Sequence, residues 1–484
     1  MKKIIFLLAF ALTSLSCVSK LREPPELDFN VPDKWISGEL KAEGDISQWW
    51  IRFDDSKLNS IIPIVLKENY DLKAGGARLE AAAALARLAG ADLFPQANLS
   101  LNAIRQKRNF LGFPFPGSGS GVPSITTNLF GVSLDVSWEV DLWGRIRASK
   151  SAATEDFQAS LADLIGFQLS LAGQTAKAWF AAIEAEHQVR LAEATVENYK
   201  TTNERVFTRY KRGLRPSLDV RFSESNLAAA KAVLLQRQDQ LQRIKRQLEI
   251  LMGRYPAARI SVSEKLPEIT DSIPAGLPAD IISRRPDLIA AEKRLAAANL
   301  RVAESRRALY PRISLTGSAG NSSDEFKNLL NGDYSVWNLI GNLFQPIFLG
   351  GRLRAAVNLS KAREREILAQ YAQTVLNAYA EVETALAAEK LLKEVEKALQ
   401  IAAEQAMAAR KLAEDRYSRG LANLIEVLEA QRRAFDSQSQ VLSVRRQRLE
   451  NRIDLFLALG GDFHIDSITQ SPSEKEAKSD EQKT

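Results

Sequence analysis

The chain has 484 residues, 45% of them hydrophobic, and 65 lysines and arginines against 59 aspartates and glutamates leave a net charge of +6. That balance is mild and contains no basic block, so it gives no footing for nucleic acid. Its two histidines, His187 and His464, lie far apart and its single cysteine is Cys17, so a metal centre or a histidine acid–base pair lacks material; with no nucleophile motif and no phosphate loop, neither an enzyme nor a cofactor is expected.

Lys2-Lys3 is a positive n-region, and the apolar run from Ile4 to Leu12 is too short to span a bilayer. Thr13-Ser14-Leu15-Ser16-Cys17 then resembles the lipobox of a bacterial lipoprotein, with its leucine two residues before the cysteine instead of three. The expectation is a signal peptide over 1–16 and a lipid on Cys17; an ordinary signal peptide with a chance cysteine is the competing reading. Val18, not aspartate, follows the cysteine and is compatible with transport to the outer membrane. No later stretch reaches ~18 apolar residues, so any crossing of a membrane has to use β-strands. Residues 17–54 read as a lipid-anchored arm.

A first unit is expected over 55–253. Helical pattern starts near Asp55, weakens at Gly75-Gly76 and stops before Pro95. Ala97, Leu99, Leu101 and Ala103 then alternate with Asn98, Ser100 and Asn102, which predicts a strand over 97–105. Beyond a Gly/Pro/Ser-rich loop a second strand is predicted over 128–142: Phe130, Val132, Leu134, Val136, Trp138, Val140 and Leu142 are apolar, and polar or small residues fill every position between. This alternation exceeds the about 9–11 residues that a tilted membrane strand needs. An aqueous sandwich would alternate too; the length, Trp138, Trp143 and the lipoprotein signal favour a membrane strand.

From Arg145 to Arg212 there is no proline, and a helix of that extent would run about 100 Å. Ala178, Ala185, Ala192 and Tyr199 recur every seven residues, interleaved with Ala182, Val189 and Val196, as in a tight coiled-coil wall. Gly213 suits a left-handed helix stop and Pro216-Ser217 a restart, giving a hairpin with its tip at 209–220. The return helix runs to Met252-Gly253, and 254–276 is an equatorial connector.

The second unit, 277–462, repeats the first. Arg209-Tyr210-Lys211-Arg212-Gly213-Leu214 returns as Arg416-Tyr417-Ser418-Arg419-Gly420-Leu421, and Gly144-Arg145-Ile146-Arg147 returns as Gly351-Arg352-Leu353-Arg354, both 207 residues on; Leu93-Phe94-Pro95 returns as Leu309-Tyr310-Pro311, 216 on. Strands are expected over 312–320 and 334–348. A second long helix follows, with Ala385, Leu392, Leu399 and Ala406 interleaved with Ala388, Val395, Ala402 and Ala409, and a tip at 416–427 where Asn423 caps the return helix. Residues 463–484 form a polar tail expected to be disordered.

Four membrane strands cannot close a barrel, and open edges are not tolerated in lipid. The barrel must be shared between chains: eight strands for a dimer, twelve for a trimer. Ser133, Asp135, Ser137, Asn98 and Ser100 would line a wet lumen, which favours twelve. The expected fold class is mainly α with a membrane β part, a homotrimer in which a 12-stranded β-barrel continues into a periplasmic α-helical barrel.

The chain resembles an outer-membrane factor of the TolC/OprM type, in its efflux lipoprotein (NodT-like) branch. The resemblance rests on Trp49-Trp50-x-x-Phe53, Leu93-Phe94-Pro95, Asp141-Leu142-Trp143-Gly144-Arg145, Arg284-Arg285-Pro286-Asp287-Leu288, Tyr310-Pro311, Gly350-Gly351-Arg352 and the two tip motifs. It implies a passive exit channel for small molecules, served by a periplasmic adaptor and an inner-membrane RND-type transporter. It further implies that the tips close the tube at rest and meet the adaptor. The expected gate is Asp415 with Arg416 and Arg419, beside Leu412; carboxylates in a narrow mouth select cations. Adaptor contact is expected at Gly213, Leu214, Ser217, Gly420, Leu421 and Asn423. Arg284 and Arg285 are expected to pair locally, with Asp287 favouring a helix N-terminus. The same channel type serving type I protein secretion or metal-ion efflux, and a non-channel periplasmic coiled-coil scaffold, are the alternatives.

Overall fold

A computed structural model describes residues 32, 34–37, 48–110, 122–269 and 284–461. The signal peptide, Cys17, most of the arm 17–54, the second part of the connector and the tail 463–484 lie outside the described residues.

A 3-10 turn, Trp49–Phe53, precedes α1 (Ser56–Glu68). The turn buries its aromatics: Trp49 stacks on Phe456 at 5.7 Å, and Phe53 meets Phe180 edge-on at 5.0 Å. Asp55 caps α1 by accepting from the amides of Lys57 and Leu58 at 3.0 and 3.1 Å. The same carboxylate accepts from the Trp179 indole at 2.8 Å and the Ser263 hydroxyl at 2.9 Å.

The helix then breaks at Asn69, not at Gly75-Gly76; α2 (Tyr70–Ala91) runs straight through the two glycines. Asn69 caps α2 by accepting from the Leu72 amide at 3.0 Å. A Cβ on Gly75 would lie 2.9 Å from Cδ1 of Leu164, so this glycine serves close helix approach.

Four strands follow the order β1-β2-β3-β4 in one antiparallel sheet. β1 is Gln96–Asn109, β2 Ser124–Val140, β3 Arg312–Ser323 and β4 Ser335–Phe344. β1 outlasts its alternation, because Arg105 to Asn109 pair with Asn128 to Ser124 although their side chains carry no apolar period. β2 ends two residues before Leu142, whose amide turns back onto the Val140 carbonyl at 2.8 Å. β4 stops at Phe344, short of the 348 read from the sequence, since Pro346 cannot donate to a ladder.

The long helices α3 (Arg145–Lys211) and α6 (Arg352–Ser418) have 67 residues each. Each begins after a glycine at positive φ, Gly144 at 77° and Gly351 at 82°. The return helices α4 (Ser217–Leu251) and α7 (Leu424–Ala458) have 35 residues each. Every one of these bounds recurs 207 residues on. Helix α5 (Pro286–Arg307) packs between α3 and α6, and α7 packs on both as well. No helix among the described residues is long and apolar enough to cross a membrane.

The heptad stripes separate the halves. On α3, flanked by α4 and α7, Ala182, Ala185, Val189, Ala192 and Tyr199 are buried. On α6, Ala385 is buried and Leu392, Leu399 and Ala406 half-buried, whereas Val395, Ala402 and Ala409 are exposed.

Candidate functional site

Both tips close in the same way. In the first, the Gly213 amide donates to Tyr210 at 2.8 Å and the Leu214 amide to Arg209 at 3.0 Å; in the second, Gly420 donates to Tyr417 at 3.0 Å and Leu421 to Arg416 at 2.8 Å. These are paired Schellman closures, which need the left-handed φ of 70° at Gly213 and 79° at Gly420. Pro216 precedes α4 with extended backbone, and the Asn423 side chain accepts from the Glu426 amide at 2.9 Å to cap α7. Leu214 and Leu421, at 67% and 66%, are the most exposed apolar residues of the two loops. Ser217 and Gly213 lie beside them in the open.

The tips are tied to each other. Arg209 donates to the carbonyls of Tyr417 at 3.0 Å and Ser418 at 2.8 Å, satisfying the end of α6. The guanidinium groups of Arg209 and Arg215 each lie 4.9 Å from the centre of the buried Tyr417 ring. Below them Tyr199, Val206, Val220, Leu424, Val427 and Leu428 form a shared core.

Of the charges expected at the gate, Asp415 and Arg419 pair on one helix face at 3.0 Å. Arg416 instead turns onto its own tip, 3.5 Å from the Leu421 carbonyl. Leu412 is exposed one turn earlier. The acid that bridges the hairpins is the neighbouring Glu414, which accepts from Asn198 at 3.1 Å and Gln431 at 2.9 Å, while Gln431 also donates to Thr202 at 3.0 Å. Sequence reasoning missed Glu414, which lies one residue off the heptad stripe and carries no mark that separates it from Asp415.

At the other end, the five residues expected in a lumen share one face of the sheet. Asn98 lies opposite Asp135 and Ser100 opposite Ser133, with Ser137 opposite Gln96. Asp135 accepts from the Ser100 hydroxyl at 2.8 Å and from the Ser133 hydroxyl at 3.0 Å. The opposite face carries Leu99, Leu101, Leu134, Val136 and Trp138. At the junction with α3, Asp141 accepts from the amides of Ile146 at 3.0 Å and Arg147 at 2.9 Å. Trp143 donates to the Pro311 carbonyl at 2.8 Å, joining the two repeats.

Arg285 reaches beyond the local pairing read from the sequence. It binds Asp287 through two nitrogens, at 3.0 and 2.8 Å, and extends to Glu381 of α6 at 2.7 Å and the Ala458 carbonyl of α7 at 3.0 Å. Burial works against its charge, but the two carboxylates outweigh it and hold the pKa above the ordinary arginine value.

The sequence matches the family model described as outer membrane efflux protein over residues 61–254 and 277–461. The chain belongs to that family. It is 31% identical over 471 residues to the pyoverdine export outer membrane protein OpmQ of Pseudomonas putida, covering 96% of this chain and 98% of that one. To the toluene efflux pump outer membrane protein TtgF of the same species it is 30% identical over 478 residues, covering 96% and 97%. Among solved structures, the Campylobacter jejuni CmeC outer membrane channel aligns with a TM-score of 0.84 at 25% identity, over 94% of this chain and 96% of that one. This outer membrane efflux protein is therefore a mainly helical channel protein of the outer membrane, extending into the periplasm, of the kind that serves tripartite pumps. Its family is one of channels, not of enzymes.

Proposed function

We propose that three copies of this outer membrane efflux protein close a 12-stranded barrel and, below it, a helical tube through which small organic molecules leave passively. The observation that carries this reading is the four-stranded sheet, one face apolar and the other polar, with β1 and β4 both at open edges. In lipid each unpaired edge group costs several kcal/mol, so the edges require partners. The exposed stripe Val395, Ala402 and Ala409 on α6 supports the same conclusion for the helical part.

In this reading residues 55–253 and 277–462 are the two structural repeats, joined by 254–276, and Cys17 carries the lipid. Ser133, Asp135, Ser137, Asn98 and Ser100 face the lumen. The tips are the periplasmic gate: Asp415, paired with Arg419, supplies charge at the mouth, and Arg416 and Leu412 lie beside them. An adaptor binds Gly213, Leu214, Ser217, Gly420, Leu421 and Asn423, and an RND-type transporter supplies energy and substrate. The names of OpmQ and TtgF mention pyoverdine and toluene, which supports export of small organic molecules without choosing among them.

The test is the mass of the full chain by sedimentation. A detergent-dependent species of three copies is expected. A monodisperse single copy in detergent-free buffer would instead indicate the soluble scaffold.

A further inference from the structure

The apolar face of the sheet has a defined height and a sharp upper edge, upper meaning away from the long helices. Its lowest row is Val140, Ile313 and Leu343, and its highest is Ala103 opposite Phe130. Val140 lies ten positions beyond Phe130. That is about 33 Å along the strand and about 25 Å once tilted, the depth of the apolar band of an outer-membrane barrel. Asn321 interrupts the band near its upper edge, on the same face as Val132 opposite. Its amide donates to the carbonyls of Leu329 at 2.7 Å and Asn331 at 3.2 Å, as a polar group on a lipid-facing side requires. The 3-10 turn that satisfies it, Phe326–Leu330, therefore lies over that side of the sheet. Phe326 meets Phe130 edge-on at 5.8 Å, while 67% of Phe326 and 96% of Leu330 remain exposed.

Directly above that edge the same face turns basic. Arg105 and Lys107 are the next two residues of β1 on this face, opposite Asn128 and Thr126 of β2. Both are exposed, and among the described residues no carboxylate pairs with either. Residues 111–121, which follow in the β1–β2 connection, contain no charged side chain. The acids of this rim, Asp324, Glu325 and Asp333, belong to the β3–β4 connection, where Glu325 is paired with Lys327 at 2.8 Å. Two cations thus stand on an apolar band at the level where lipid headgroups begin.

We propose that Arg105 and Lys107 bind the phosphate of an outer-leaflet lipid whose acyl chains lie on the apolar band beside Phe326 and Leu330. This rests on the channel reading, which puts this face of the sheet in the membrane and the β1–β2 connection outside. The two cations are ~7 Å apart along the strand, close enough for one phosphorylated headgroup to meet both. The guanidinium offers paired N–H donors to phosphate oxygens and the ammonium a point charge. Asn128 and Thr126 add an amide and a hydroxyl across from them. At the acyl–headgroup boundary the medium is less polar than water, so such pairs are stronger there than on a solvated surface. Arg108 provides the contrast, since it lies on the polar face with Ser100 and Asn102.

Lipid binding to the detergent-purified full chain, counted by native mass spectrometry, tests the site. The probe is diphosphoryl lipid A, set against the same lipid stripped of phosphate and against inorganic phosphate. One variant is Arg105→Gln with Lys107→Gln; the other is Arg108→Gln, which removes a cation of the same strand from the opposite face. The natural chain and Arg108→Gln are expected to hold the phosphorylated lipid alike, and the double variant at least about ten-fold more weakly. Stripped lipid should bind the natural chain as weakly as phosphorylated lipid binds the double variant. Equal affinity in the double variant, or an equal loss in Arg108→Gln, overturns the assignment. So does inorganic phosphate that displaces the lipid at matched concentration, because the apolar half of the site would then contribute nothing. Sedimentation of the same samples separates the two claims: three copies with no preference for the phosphorylated lipid sink this site alone, while a single copy in detergent-free buffer sinks the channel reading beneath it.

Discussion

The side-chain amide of Asn69 donates to the carbonyl of Leu251 at 3.0 Å. Its counterpart 216 residues on, Arg285, donates to Ala458 at 3.0 Å, and that carbonyl lies 207 residues beyond Leu251. Two different side chains thus close the same junction, where a return helix ends against the start of an upper helix. Each also opens its own helix, Asn69 at α2 and Arg285 at α5.

Unequal costs follow for the two positions. Asn69→Ala removes a cap and one hydrogen bond, about 2 kcal/mol together. Arg285→Ala removes a buried charge from two carboxylates and a carbonyl, and about 3 kcal/mol is expected. Arg285→Lys recovers less than half, because a single ammonium cannot serve Asp287, Glu381 and Ala458 at once. Thermal midpoints of the detergent-solubilised protein should fall in the order Arg285→Ala below Asn69→Ala; equal midpoints would remove the assigned role of Arg285.

At the tips, Arg209→Ala frees the carbonyls of Tyr417 and Ser418 and uncovers the Tyr417 ring. Hairpin docking at that end should weaken by about 1–3 kcal/mol, which loosens the gate without unfolding the long helices. Cells carrying Arg209→Ala or Glu414→Ala should become more sensitive to a large hydrophilic antibiotic that the outer membrane normally excludes. Unchanged sensitivity at equal expression would mean that the ties between the tips do not restrain passage.

Gly320 tests the sheet. A Cβ there would lie 1.9 Å from the Val132 carbonyl oxygen and 2.7 Å from Cα of Ser133, whereas one on Gly317 would come no closer than 3.6 Å to Leu339. Gly320→Ala should therefore force β2 and β3 apart, at a cost of about 1–3 kcal/mol, and Gly317→Ala should be tolerated. The fraction of heat-resistant oligomer on unboiled gels reads the difference.

Acid should release the connector. Ala258 sits at φ 58°, and Glu249 holds that loop by accepting from the amides of Ala258, Arg259 and Ile260 at 2.6, 2.6 and 3.2 Å. Burial pushes the Glu249 pKa up, but these amides outweigh it and leave it below the ordinary carboxylate value. Its contribution is thus complete above the unfolded value of about 4.3 and is lost as pH falls through the lower folded value. Protection of the 258–260 amides, measured against the intrinsic exchange rate at each pH, should be high at pH 7 and fall only in stronger acid. Glu249→Gln should show the low protection already at pH 7.

Much of the architecture was legible because duplication and period two are global signals. The alternation from Phe130 to Val140, the glycines that close the tips and the doubled long helices all stand in the sequence. Local breaks were less legible. Gly75-Gly76 looks like a helix breaker, yet packing against Leu164 keeps it helical while Asn69, an ordinary capping residue, makes the break. Long-range pairing was not legible at all. Nothing in the string Arg284-Arg285-Pro286-Asp287 shows Glu381 or Ala458, and Glu414 differs from Asp415 only in the side of the helix it occupies.

The most direct measurement is single-channel conductance of the detergent-purified oligomer in a planar bilayer, with Asp415→Ala beside the natural chain. The expected result is discrete, small, cation-selective steps that grow in the variant, because Asp415 no longer pairs with Arg419 at the mouth. Steps of unchanged size would keep the channel and remove Asp415 from the gate. No conductance from either protein, together with solubility in detergent-free buffer, would contradict the account.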